Sequence, residues 1–181
     1  MKKLGHFLAD QNFDCVFSSD LKRARETTEL IMQENHHQSQ IFFTDALREW
    51  RLGSLEGQKI AIMTSIYPKQ MEAFRHNLAL FKGDLFNAES LYQTTRRVLD
   101  LVQSLKDKPF QHVLFVGHGA NLTASIKTLL GFHPAQLRLD GGLSNSSLTI
   151  LETEDFQSFK LITWNDTSYL EVAEEELVYT K

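Results

Sequence analysis

Three short segments hold the side chains best suited to chemistry on an anion. In SSDLKRARETT, Arg23 falls in the first turn of a helix that directly follows a strand. A guanidinium there lies beside free backbone N–H groups, and its planar fork can hold two phosphate oxygens at once. The same arginine could equally be part of a solvated helix face. In LREWRLGSLEG, Glu49 is flanked by Leu47, Trp50 and Leu52. A partly apolar wall of that kind would favour the protonated carboxyl that a general acid needs. Glu56 is the rival carboxylate, and both could be ordinary surface charges on a glycine-containing loop. In VLFVGHGANL an apolar strand ends on His118, between two glycines, just where a helix begins. Ligands of open α/β sheets bind at such carboxyl ends, and Gly119 lets a backbone N–H approach an anion. His118 is therefore a candidate phosphate ligand, with plain hydrogen-bonded structure as the alternative.

Other chemistries fit these residues less well. GHGANL has Leu122 where a dinucleotide fingerprint needs its third glycine, and no acidic residue follows before Asp140. No G-x-S-x-G elbow occurs, so Ser18 and Ser19 read as strand-end and helix-capping residues rather than nucleophiles. His36 and His37 lack H-E-x-x-H spacing and sit in the polar stretch NHHQSQ, so no metal site and no cofactor are expected.

Such side chains need a scaffold, and the chain is long enough to build one. Its 181 residues suit one domain, 1–181, with a single core. Apolar residues at 42% and charged ones at 23% are the balance of a globular protein, and thirteen phenylalanines point to an aromatic core. A net charge of -4 gives no general attraction to nucleic acid or to an anionic membrane, so a positive site must be local. Cys15 is the sole cysteine, read as a small buried hydrophobe, which excludes an intrachain disulfide and makes a cytoplasmic setting the expectation. Lys2 and Lys3 precede Leu4 to Leu8, a run too short and too polar for a signal peptide or membrane span.

Periodicity places the elements. The chain is expected to start on a helix carrying Leu4, Phe7 and Leu8, followed by a buried strand over Phe13 to Phe17. A helix over Leu21 to Glu34 has possible Lys22/Glu26 and Arg25/Glu29 pairs. Ile41 to Thr44 reads as a strand, Lys59 to Phe81 as helical but broken by Pro68, and Ser90 to Leu105 as an amphipathic helix. Val113 to Val116 is an apolar strand before a helix from about Asn121 to Leu130. Ser147 to Glu152 and Phe159 to Trp164 read as a hairpin, and the end around Glu174 to Glu176 as a solvated tail. Alternating strands and helices indicate an α/β fold with a mostly parallel sheet and helices on both faces.

In this order the three segments resemble the histidine phosphatase, or phosphoglycerate mutase-like, superfamily. Its S-x-L-x-R-A-x-x-T is matched by Ser19, Leu21, Arg23, Ala24 and Thr27. Its L-x-E-x-x-x-G-x-x-E-G is matched without a gap by Leu47, Glu49, Gly53, Glu56 and Gly57, and its later H-G by His118 and Gly119. AESLYQTTRRV is similar to a helix that begins G-E-S in many members, with Ala88 for the glycine. LSNSSLTILE and WNDTSYL resemble the family's last strands, with Tyr169 where a histidine is common. The likeness runs from about residue 4 to residue 170.

The resemblance implies a metal-independent pocket of two histidines and two arginines, an acidic proton donor, a phosphohistidine intermediate and a small phosphorylated metabolite as substrate. By position Arg23 would be one pocket arginine, His118 the second histidine, Glu49 the general acid, and the Gly119 N–H a further donor. The family opens with a strand ending in R-H-G, which supplies the nucleophile and the first arginine. No such triplet occurs here, and none of His6, His36, His37, His76 or His112 ends an equivalent strand. The expected fold therefore lacks the first, central strand, and the chain is expected to begin in the helix that follows it.

Overall fold

A computed structural model describes residues 2–171. Helix α1 (Lys2–Phe7) leads to β1 (Cys15–Ser19), α2 (Lys22–Glu34) and β2 (Gln40–Thr44). Short 3-10 turns then carry the Leu47 to Gly57 loop toward α3 (Ile60–Ile66) and α4 (Pro68–His76). After two more such turns come α5 (Leu91–Gln103), β3 (Val113–Val116) and α6 (Gly119–Leu129), and the described chain closes with β4 (Leu148–Glu152) and β5 (Lys160–Asp166).

The strands β2, β1 and β3 form a parallel sheet in that order, with Ser18 in register with Val116. Successive side chains of a strand point to opposite faces, and the core follows that alternation. Leu114 and Val116 of β3 join Leu4, Leu8 and Ile31 from α1 and α2 on one face. Phe115, with Phe17 of β1, joins Val98, Val102, Leu122 and Leu129 from α5 and α6 on the other. Helices thus cover both faces. The strands β4 and β5 form a separate antiparallel hairpin, and among the described residues β3 has a strand on one side only.

Local rules explain most boundaries. Pro68 takes the first position of α4, where its missing N–H costs no helical bond. Ser90 and Gln93 form a reciprocal capping box that starts α5. At Gly5 an added Cβ would lie 2.9 Å from Glu34 Cγ, so only glycine allows α1 to cross α2 this closely. Gly53 has φ +56°, and a Cβ there would meet Phe86 O at 2.1 Å, which fixes the loop against the 83–87 turn.

Two expectations are corrected. The strand β1 lies two residues later than the hydrophobic run suggested, so Ser18 and Ser19 belong to it, and the α2 N-cap is Leu21 without a side-chain bond. The reason is burial. Both serines have no exposure, and their hydroxyls are engaged by Thr28 and His118. The Lys22/Glu26 pair forms at 3.7 Å on the surface. Arg25, however, turns away from Glu29, donating to Asp20 O and covering the Phe43 ring at 4.2 Å. The expected tail around Glu174 to Glu176 lies outside the described residues.

Candidate active site

Parallel pairing of β1 with β3 sets their carboxyl ends side by side, and the three segments meet there. His118 follows β3 as the N-cap of α6 and is 8% exposed. Its Nδ1 accepts a hydrogen bond from Arg23 Nε at 3.1 Å, and its Nε2 stands 2.9 Å from Ser19 Oγ. Burial and the neighbouring Arg23 charge push the imidazole pKa down, against a smaller pull from Glu49. The ring is therefore neutral near pH 7. The two terminal nitrogens of Arg23 have no acceptor among the described residues, and the residue is exposed.

Glu49 caps α6 from across the fold. Its Oε1 accepts from Asn121 N at 2.9 Å and Trp50 N at 2.8 Å, and its Oε2 accepts from Ala120 N at 3.3 Å. His118 makes no side-chain cap of its own, so the half-buried carboxylate satisfies two helix-start donors and sits at the positive end of the helix. The apolar wall expected around Glu49 is thus replaced by backbone N–H groups, because Leu47 and Trp50 turn into the core while the carboxylate reaches α6. No acceptor for the Gly119 N–H is present among the described residues, so this donor stays open beside His118. Glu56, the rival, turns back to its own loop and accepts from Leu52 N at 2.8 Å.

Several groups that the sequence did not single out position this site. Arg48 holds both oxygens of Asp20 at 2.6 Å, pinning the Glu49 loop to the end of β1, and its guanidinium lowers the Asp20 pKa. Glu89 is buried between Arg97 and Arg51, at 3.0 and 3.1 Å. Burial alone would raise its pKa, but the Arg97 and Arg51 bonds outweigh it and the net shift is downward. Arg97 also donates to the carbonyls of Asp45, Ala46 and Arg48, so one side chain of α5 organises the whole loop. The carboxyl in the G-E-S-like stretch was the available signal for this clamp.

Arg138 is a further surprise, with Nε and Nη2 buried and unpartnered and its guanidinium 5.0 Å over the Phe74 ring. Burial pushes its pKa below the usual arginine range, opposed by the Glu49 charge. Tyr169 lies away from the site in the core of α1, stacked on Phe7 at 5.1 Å. His36 pairs with Asp10, and among the described residues no three metal-ligating side chains converge.

The model of the histidine phosphatase superfamily (branch 1) matches residues 1–167, and the chain belongs to this family. Relatives include a broad-specificity phosphatase of Saccharomyces cerevisiae, 29% identical over 173 residues, spanning 93% of this chain and 72% of that protein. A probable phosphoglycerate mutase, GpmB of Escherichia coli, is 31% identical over 143 residues, or 77% of this chain, which spans 63% of the GpmB length. Among solved structures, YhfR of Bacillus stearothermophilus superposes with a TM-score of 0.83 at 23% identity, covering 94% of this chain and 82% of that one. The native mycobacterial glucosyl-3-phosphoglycerate phosphatase gives 0.78 at 26% identity, covering 92% and 82%. By family this is an enzyme of the phosphatase and phosphoglycerate mutase-like kind. Among the described residues no helix is long and apolar enough to cross a membrane.

Proposed function

We propose that residues 1–181 are one histidine phosphatase-like domain whose chemistry is metal-independent phosphomonoester hydrolysis on a small phosphorylated metabolite in the cytoplasm. The observation that carries this reading is the meeting of Arg23, His118 and the Glu49-capped start of α6 at the carboxyl ends of β1 and β3. Arg23 presents unpaired nitrogens and Gly119 an unpaired N–H, a set of donors suited to equatorial phosphoryl oxygens. His118, expected as a phosphate ligand, has both ring nitrogens engaged, by Arg23 and Ser19, so in this arrangement it aims Arg23 and adds a polar wall.

Hydrolysis then needs a nucleophile. A histidine from an R-H-G strand beside β3 would attack phosphorus, forming a P–N bond as the ester P–O bond breaks, and Glu49 would protonate the departing oxygen. Glu49, now ionised, would take a proton from water as that water displaces the histidine and releases phosphate. The 181 residues contain no R-H-G triplet, and His118 alone among the described histidines stands at the carboxyl ends of the parallel strands. Phosphoryl transfer between two hydroxyls, as the name of GpmB denotes, uses the same first step. The segment between Gly57 and Glu89 is short for the walls a mutase needs, so hydrolysis is preferred.

The test is hydrolysis of an aryl phosphate by this chain and by a version extended at its N-terminus with a strand ending in R-H-G. Turnover only in the extended form supports the reading. Equal, robust turnover by both would overturn the claim that the nucleophile lies outside these residues. Phosphate binding without turnover in either form would favour a non-catalytic phosphate or metabolite binder.

A further inference from the structure

Ser19 has no exposure, makes no part of the helix cap expected of it, and points its hydroxyl at the His118 ring. The proton positions in this contact follow from the partners. Arg23 Nε can only donate, so the His118 Nδ1 it meets at 3.1 Å carries the lone pair. In a neutral imidazole the proton is then on Nε2, which donates to Ser19 Oγ at 2.9 Å. The serine oxygen also receives the Leu21 N–H at 3.3 Å, so its two lone pairs meet two N–H donors. The backbone around it is braced as well: Ser18 Oγ donates to Ser19 O and receives a bond from Thr28 Oγ1 at 2.8 Å.

We propose that Ser19 is a positioning residue: by accepting the Nε2–H it fixes His118 in the Nε2-protonated tautomer, and the exposed Nδ1 lone pair in turn aims the Arg23 fork into the pocket. The idea rests on the phosphate-pocket reading for its purpose, but its structural content does not. Without the hydroxyl, the ring is free to turn or to exchange its tautomer. An Nδ1–H would then face the Arg23 Nε–H, two donors in opposition, and the guanidinium would lose its orientation.

The deciding experiment is long-range proton–nitrogen correlation NMR of the His118 ring in the full chain and in Ser19→Ala, with inorganic phosphate binding measured on both. The expected result is a neutral Nε2–H tautomer in the wild type and a mixed or Nδ1–H population in the variant. Phosphate affinity should fall roughly two- to tenfold, the loss of one hydrogen bond's worth of orientation. A wild-type ring in the Nδ1–H form, or a folded variant that keeps the wild-type tautomer, overturns the assignment. Should the tautomer respond as expected while neither protein binds phosphate, Ser19 keeps its role and the phosphate-pocket reading is what fails.

Discussion

Glu49 and Glu89 lie on either side of Trp50, which donates its backbone N–H to the first carboxylate and its indole N–H to the backbone carbonyl of the second. Their surroundings differ in kind. Glu89 is saturated by two guanidiniums, and that of Arg97 also holds loop carbonyls, so its charge is spent on shape. Glu49 meets backbone N–H groups, of Trp50 and of the start of α6, with no cation in contact among the described residues. A carboxylate held by backbone N–H groups is left without a salt-bridge partner, whereas one clamped between arginines is committed to its ion pairs. The difference separates a residue that builds the site from the one to which the proposed acid–base role falls.

Arg97→Met should test the building half most severely. It leaves Glu89, whose side chain is 5% exposed, with only the largely exposed Arg51 as its cation. Breaking a buried pair on one side costs about 3 kcal/mol or more, read as a lower urea midpoint at unchanged slope. A loss within about 0.5 kcal/mol would mean that the clamp is no more than a surface pair.

Glu49→Gln should show the opposite pattern. The amide oxygen can still receive the Asn121 N–H, so stability should fall by about 1 kcal/mol or less. In a catalytically active form, turnover of an aryl phosphate should drop about a hundredfold or more while phosphate affinity barely changes. Unchanged turnover would remove Glu49 from the acid–base role and leave it as a helix cap.

Acid titration separates the two regions again. The His118 pKa lies below its ordinary 6.5 in the folded protein, because burial and Arg23 disfavour the charged ring. The unfolded chain therefore binds the proton first. Stability from this residue is complete above pH 6.5 and is lost as pH falls through the lower folded value. For Glu89 the folded pKa lies below its ordinary 4.5, so its contribution is intact above pH 4.5 and is lost on further acidification. The stability difference between wild type and His118→Gln should start to shrink just below pH 6.5, where Glu89 is still silent. A difference that is flat from pH 7.5 to 5 would show that His118 keeps an ordinary pKa.

The two halves were unequally legible in the sequence. Arg23, Glu49, His118 and Gly119 could be named because each lies in a contiguous motif at a strand or helix boundary. The parallel α/β fold followed from the alternation of strands and helices, and Pro68 and the Ser90 start of α5 marked their own boundaries. What was hidden depends on distance along the chain. Arg97 meets Ala46 across 51 positions, and Ser19 meets His118 across 99. Short-range rules assign Ser19 to capping and Arg25 to an i,i+4 pair, and contacts with His118 and with the Phe43 ring override them. Local periodicity carries no information on such pairings.

Arg138 allows the smallest and sharpest form of the comparison, since it is the counterpart of Arg97 with its partners removed. Among the described residues two of its nitrogens are buried without an acceptor, and the Phe74 face and the charge of Glu49 are what favour its presence. A guanidinium so placed bears desolvation that the ring face offsets only in part, and an apolar side chain of similar length avoids that penalty. Arg138→Met should therefore alter stability by less than about 1 kcal/mol or raise it, where Arg97→Met lowers it by about 3 kcal/mol. The measurement is urea unfolding of the two variants side by side. A loss for Arg138→Met as large as that for Arg97→Met would mean that its buried nitrogens are satisfied in solution by ordered water. The contrast between saturated and unsaturated charges would then hold for the carboxylates alone.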